Sequence, residues 1–324
     1  MGGAPLRLEC GIVPRRNSLI MRAVIHAGLH KTGTSSFQRC CYDLRDELIQ
    51  QHIHYPYFRG RPNHNHLVNQ SSVHWVAKAV NAASKTVGDH GCLLISAENL
   101  EYDLHTNKPA RIEKALAQAG ISEVIWVLCF REPFAAYRSL YAQLSNSGRK
   151  LKTARAILEF GATGQLIASE GKLCLQNRRL SQTFHFNYPG LIQHLQRRLQ
   201  GSIVGIDFKD FTQRAQAPGD LLIQAISKQG KGLSELRDDL PTHTNTSATA
   251  EEIERRFVHR FFAVDPRQGD VPPAWINTVV QARLEQRLKS ERTIKRLFKK
   301  KLADWDQALT PADAVLRQLR PSGV

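Results

Sequence analysis

Ala23 to Gln38 reads AVIHAGLHKTGTSSFQ, and the fold class rests on how this stretch divides. Ala23-Val24-Ile25-His26 is mostly apolar and short, the mark of a buried strand. Gly28-Leu29-His30-Lys31-Thr32-Gly33 follows, and Thr34-Ser35-Ser36 opens an amphipathic segment expected to be helical to about Gln51. Strand, glycine-containing loop and hydroxyl-rich helix start together describe an anion cradle. The glycines let backbone approach a ligand closely, and the unpaired N–H groups at the helix start face a negative charge. Lys31 adds a point charge, so the stretch is expected to bind phosphate.

The nucleotide triphosphatase loop, G-x-x-x-x-G-K-[ST], carries its lysine after the second glycine and uses the following hydroxyl to hold magnesium. Here Lys31 precedes Gly33, and no apolar run ends in the aspartate expected as a second magnesium ligand. A small-molecule kinase using ATP is therefore the weaker of two readings.

Working outward, strand-like and helix-like segments alternate. His52–Tyr57 has strand period, and Arg59–Asn69 is a polar loop. Ser71–Val87 has helical spacing, Cys92–Ser96 is a second buried strand, and Pro109–Ala119 is a helix. Glu123–Phe130 (EVIWVLCF) is the clearest strand, and Pro133 begins a helix to about Asn146. This order predicts an α/β fold, a phosphate-loop type of parallel sheet with flanking helices and a helical C-terminal part. Ligands of such sheets bind beyond the carboxyl ends of the strands. Gly28, Glu98 and Arg131 each lie just past a strand, so all three are expected at one rim.

The second half reads as more helical: Thr153–Ser169, Tyr188–Leu199 and Gly219–Lys228, with one strand at Ser202–Phe208. Ser247 or Thr249 is placed to cap a helix that begins at Glu251. A single amphipathic helix is expected from Pro272 to about Ala308, apolar on one side and basic on the other (Arg283, Arg287, Lys289, Arg292, Lys295, Arg296, Lys299, Lys300 and Lys301). The expected organisation is an extension over residues 1–20 followed by one domain, 21–324. Residues 21–147 form its donor-binding core, and 148–324 complete it.

Composition narrows the classes. The 324 residues are 42% hydrophobic, enough for a sizeable core. No run approaches about 18 apolar residues, so no membrane span is expected. The first twenty residues do not read as a signal peptide. The six cysteines (10, 40, 41, 92, 129 and 174) show no metal-ligand spacing, and buried thiols in a reducing, cytoplasmic compartment account for them. A formal charge of +16 calls for an anionic partner. Nucleic-acid surfaces interleave aromatics with basic residues. Here Trp275, Phe298 and Trp305 fall on the apolar side of the basic helix, so no nucleic-acid partner is expected.

A second motif runs Phe130-Arg131-Glu132-Pro133-Phe134-Ala135-Ala136-Tyr137-Arg138-Ser139-Leu140-Tyr141. Arg131 offers a bidentate fork, and Ser139, about two turns into the helix, a further donor to one phosphate. Together H-x-G-x-x-K-T-G-T-S-S and R-x-P-x-x-x-Y-x-S-x-Y resemble the sulfotransferase family, nearer its bacterial and carbohydrate branch, over residues 21–147. The resemblance implies transfer of a sulfuryl group from 3'-phosphoadenosine-5'-phosphosulfate (PAPS) to a hydroxyl or amine, without a metal. The acceptor is a glycan, glycolipid or small alcohol. Gly28, Lys31, Thr32, Gly33, Thr34, Ser35 and Ser36 would hold the 5'-phosphate, Arg131 and Ser139 the 3'-phosphate, and Lys31 would neutralise the leaving oxygen. Glu98 is the expected general base and His30 the runner-up, with orientation of the loop as its other role.

Two departures stand out. Phe37 occupies the place of the tryptophan common in cytosolic aryl sulfotransferases. Gly230-Lys231-Gly232 only weakly replaces the R-K-G element that supplies further 3'-phosphate contacts. His64, His66 and His74 read as surface residues, with an acceptor-site or metal role as the alternative. The basic helix is expected to attract an anionic acceptor or to touch a membrane surface peripherally.

Overall fold

The computed structural model describes residues 21–68, 72–88, 90–146, 153–169, 181–212, 217–237, 240, 249–261, 274–306, 317 and 319. Residues 1–20, Cys10, Cys174, Ser247, Pro272 and Ala308, all named above, lie outside that set. The elements run β1 (Arg22–His26), α1 (Thr34–Asp43), α2 (Arg45–Gln50), β2 (Ile53–His54), α3 (Ser72–Val87), β3 (Cys92–Ser96), α4 (Lys108–Gln118), β4 (Glu123–Phe130) and α5 (Pro133–Asn146). They continue α6 (Thr153–Thr163), β5 (Gln165–Ser169), β6 (Ser181–His185), α7 (Tyr188–Gln196), β7 (Ser202–Asp207), α8 (Phe208–Thr212), α9 (Asp220–Ile226), α10 (Leu233–Leu236), α11 (Ala250–Phe261), α12 (Trp275–Leu297) and α13 (Lys299–Asp306).

Five strands form a parallel sheet in the order β2-β3-β1-β4-β7. The fold class is α/β. β1 is central, with Ala23 opposite Leu93 of β3 on one side and Val124 of β4 on the other. Every side chain of β1 and β3 is buried, as in a parallel sheet covered on both faces. Alternation divides the strands between two cores. Ala23, Ile25, Leu93, Ile95, Trp126 and Leu128 face α3, α4 and α7. Val24, Leu94, Val127, Cys129, Val204 and Ile206 face α1, α2, α8 and α9. Cys40, Cys41, Cys92 and Cys129 are buried free thiols.

Several boundaries differ from expectation, each for a local reason. The helix after the loop breaks at Leu44 (φ −104°, ψ 24°) into α1 and α2. Only Ile53–His54 of the segment 52–57 pairs as a strand, at the sheet edge, where Pro56 has no N–H to extend the ladder. The helix expected over Thr153–Ser169 stops at Thr163. Gly164 turns with φ +67°, and Gln165–Ser169 pairs antiparallel with Ser181–His185. The short alternation of Leu166 and Ala168, buried, with Ile167, 38% exposed, is a strand signal hidden at the end of a helical run. The long basic helix is two: α12 ends at Phe298 (φ −112°, ψ 15°), whose ring packs where a Cβ on Gly161 would lie.

A third apolar cluster joins α5 and α6 to the hairpin β5–β6 through Phe134, Tyr137, Phe160, Leu166 and Phe184, and takes in Ile294 and Trp305 from the last helices. Thr249 caps α11 in a reciprocal pair with Glu252. Its Oγ1 accepts from the Glu252 N–H (3.2 Å), and Glu252 Oε2 accepts from the Thr249 N–H (2.7 Å). Among the described residues no helix is long and apolar enough to cross a membrane.

Candidate functional site

The parallel register puts the residues following β3, β1 and β4 side by side, so Glu98, the loop 27–33 and Arg131 share one rim of the sheet. The loop turns tightly. Gly28 lies so close to the side chains of Thr34 and His26 that a Cβ has no room. Gly33 sits at φ +79°, and a Cβ there would stand 2.7 Å from Thr212 Cγ2 of α8. Both glycines are therefore required, one by close approach and one by conformation.

Lys31 holds φ +68°, a region that costs a residue with a Cβ about 1–3 kcal/mol and persists only where its surroundings enforce it. Three contacts enforce it here. Arg131 Nη1 donates to the Lys31 carbonyl (3.3 Å), Thr32 Oγ1 donates to the Leu29 carbonyl, and the His30 N–H donates to Glu101 Oε2 (2.7 Å). Lys31 itself is partly exposed, and its Nζ has no hydrogen-bond or ion-pair partner among the described residues.

α1 begins at Thr34 with no side chain capping it. Its neighbour along the rim, α5, is different. Glu132 accepts from the N–H groups of Phe134 (3.0 Å) and Ala135 (2.6 Å), so the start of α5 already holds a carboxylate. Of the two helix starts, only that of α1 is left for an external anion. Thr34 and Ser36 are buried, and Ser35 is exposed. Arg131 is partly buried, its guanidinium 4.9 Å from the Phe208 ring centroid, and the Tyr188 hydroxyl donates to its carbonyl (2.7 Å). Ser139 lies two turns along α5 with a partly buried side chain.

His30 and Glu98 stand over a network that the sequence reading missed. Residues 98–103 form a short 3₁₀ helix. With three residues per turn, Glu98 and Glu101 fall on the same face. Glu101 is 2% exposed, and its Oε2 accepts from both the N–H and the ring Nδ1 of His30, each at 2.7 Å. Its Oε1 accepts from the His185 N–H of β6 (3.0 Å). Tyr102 Oη lies 2.8 Å from His30 Nε2, and the two rings stack at 4.9 Å. Burial alone would lower the pKa of His30, but the Glu101 hydrogen bond and the charges of Glu98 and Glu101 raise it overall. Burial raises the pKa of Glu98, against the lowering pull of His30 and Lys31. The spacing Glu98-x-x-Glu101 was the available signal.

A second missed network underlies the loop. Ser96 Oγ lies 2.9 Å from His26 Nδ1 and accepts from Gln38 Nε2 (3.1 Å). The expectation that His64 is a surface residue is wrong. It is fully buried, its Nδ1 accepts from the Ser96 N–H (2.9 Å), and its Nε2 donates to the Pro56 carbonyl (2.9 Å). Burial pushes His26 down to about 3 and His64 to about 4. His66 stacks on Phe58 at 3.5 Å, and His74 is exposed. Among the described residues no group of three or more His, Cys, Asp or Glu is placed to hold a metal ion.

A cleft lies between α5, α11 and α12. Tyr137, Tyr141, Arg138, Arg283, Arg287 and Glu254 are among the residues lining it. Arg287 bridges Glu254 (3.2 Å) and Glu291 (3.1 Å), and Arg283 pairs with Glu254 (2.8 Å). No family model matches the chain, and no curated protein matches it.

Proposed function

We propose that this protein is a sulfotransferase that uses PAPS as donor and a hydroxyl or amine of a glycan, glycolipid or small alcohol as acceptor. The observation that carries the reading is the enforced conformation of Lys31 between the uncapped start of α1 and Arg131. That arrangement suits a donor with two separated phosphates. The N–H groups at Thr34, Ser35 and Ser36 and the ammonium of Lys31 take the 5'-phosphate, while Arg131 and Ser139 take the 3'-phosphate. The required glycine at 28 fits close approach of an anion to the backbone.

In the transfer, the bond from sulfur to the 5'-phosphate oxygen breaks as a new bond from sulfur to the acceptor oxygen or nitrogen forms. Charge grows on the leaving oxygen, where Lys31 stabilises it. The acceptor proton passes to Glu98, whose raised pKa brings it nearer to working pH, where a general base is most effective. His30, with both ring nitrogens engaged, is left to orient the loop. The four described cysteines, all buried free thiols, suit a reducing, cytoplasmic setting. The exposed basic residues of α12 and α13 would draw in an anionic acceptor.

Calorimetry tests the donor directly. Wild type should bind adenosine 3',5'-bisphosphate more tightly than ATP, and Arg131→Ala should weaken it by about 1.5–3 kcal/mol, the worth of a charge-assisted contact. Lys31→Ala should abolish turnover. Tighter binding of ATP would favour a kinase instead.

A further inference from the structure

Glu101 belongs to no motif, yet it makes three hydrogen bonds to two segments that meet at the loop. One oxygen takes both the main chain and the ring of His30; the other takes the main chain of His185, 84 residues further on. We propose that Glu101 is a positioning residue for the phosphate loop. It clamps His30 by backbone and ring together, so that Lys31, one residue on, presents its ammonium to the bound anion. The proposal rests on the donor reading for the identity of that anion, but not for the clamp itself.

The chemistry of the atoms fixes much of the argument. An ionised carboxylate only accepts, so His30 Nδ1 must carry a proton toward Glu101. A buried carboxylate without a counter-charge is costly. His30 stands closest to it, and Lys31 is the next cation in the chain. With an imidazolium at His30, the charge of Glu101 is matched where it stands, and Lys31 is not drawn inward to match it. Against the burial of the ring, the carboxylates around it favour this. Glu101 and Tyr102 bracket its two nitrogens, the Phe184 ring of β6 meets it edge-on at 5.0 Å, and Glu98 adds a second negative charge. Lys31 is the one opposing charge, and the net balance still favours the protonated ring. Hydrogen bonds at both nitrogens also hold the ring plane, and through the shared oxygen they hold the main chain into Lys31.

Glu101→Gln is the discriminating variant. Glutamine has nearly the same shape but one acceptor oxygen, so it can keep the His185 contact or the His30 contacts, not both. Imidazole ¹⁵N spectra of the full chain should show wild-type His30 still protonated above pH 6.5, where a free histidine is half titrated. In the variant its midpoint should fall. Affinity for adenosine 3',5'-bisphosphate should drop about tenfold, the scale of one lost hydrogen bond. Tyr102→Phe, which keeps Glu101 and takes the partner from Nε2, should also lower the midpoint, and it serves if Glu101→Gln does not fold. A His30 that titrates identically in wild type and variants overturns the clamp, whatever the affinities. If His30 responds as expected but wild type does not bind the bisphosphate, the donor reading fails and the clamp stands.

Discussion

The loop after β1 and the helix pair α11–α12 both concentrate charged side chains, but they use them differently. At the loop, the partners come from far along the chain. His30 meets Glu101 across 71 residues, and Arg131 meets the Lys31 carbonyl across 100. At the helix pair, Glu254 meets Arg283 and Arg287, and Arg287 meets Glu291 one turn away. The apolar contact between those helices is small, centred on Val258, Ile276 and Val280. Charge in the first region holds the main chain of the loop at His30 and Lys31; in the second it ties together two helices with little core between them. The first should fail in chemistry, the second in local stability.

After Lys31→Ala, the largest effect is expected at Glu98. Glu98→Gln keeps the shape and loses the proton acceptor, so single-turnover rates should fall about 10²–10⁴-fold with donor affinity unchanged. Unchanged rates would make Glu98 structural and bring His30 forward as the next candidate base.

The next effect follows from the buried histidines beneath the loop. His26 and His64 are neutral in the fold, with pKa values lowered to about 3 and about 4. The unfolded chain takes up these protons near pH 6.5, so the folded state binds fewer of them below that pH. Stability is then full above pH 6.5 and falls as the pH drops from there to about 4 for His64 and about 3 for His26. For His64 alone the loss is of the order of a few kcal/mol. The melting temperature should fall between pH 6.5 and 4, and His64→Gln should flatten that fall. An equal slope in the variant would show that His64 is not the titrating group.

How much of this was legible beforehand depended on range. The strands Cys92–Ser96 and Glu123–Phe130 and the helix from Pro133 were readable because period and punctuation are local. The common rim followed from parallel order alone. The hairpin β5–β6 was not readable, because the strand that stabilises Gln165–Ser169 begins at Ser181 and the apolar run joins smoothly to a helix. His64 looked polar and exposed in a loop, and only the edge of β3, with its Ser96 N–H, explains its burial. Glu101 was legible in principle. Its spacing from Glu98 suits a 3₁₀ turn, but nothing local announces such a turn.

A smaller effect should separate the two regions. Glu254 is 5% exposed and holds two arginines, so Glu254→Gln takes one charged partner from each, and Arg287 keeps Glu291. Removing one member of a fully buried pair costs about 3–5 kcal/mol. Here the Arg283 side chain is 39% exposed and water screens it, so about 1–2 kcal/mol is expected. Hydrogen exchange should quicken in α11 and α12, while affinity for adenosine 3',5'-bisphosphate stays the same. A loss of donor affinity would mean that the two regions are coupled, most directly through α5, which lines the cleft with Tyr137 and carries Ser139.

The smallest effect concerns the basic face, where the structure sorts nine charges into two groups. Arg283 and Arg287 pair with Glu254, Lys295 Nζ lies 5.0 Å from the Phe134 ring centroid, and Lys301 Nζ donates to the Gly161 carbonyl (2.9 Å). These four serve the fold. Lys289, Arg292 and Arg296 are exposed at spacings of three and four, which puts them on one side of α12, and Lys299 and Lys300 are exposed at the start of α13. If the face recruits an anionic acceptor, reversing Arg296, Lys299 and Lys300 to glutamate should raise acceptor KM and leave donor affinity unchanged. Exposed pairs are worth about 0.2–1 kcal/mol each, so a rise of several-fold is expected. The effect should shrink as salt shortens the Debye length to about 8 Å at physiological ionic strength. Lys301 is left in place because its bond to Gly161 would confuse recruitment with folding. An acceptor KM that stays constant at low salt would assign these three charges to solvation alone.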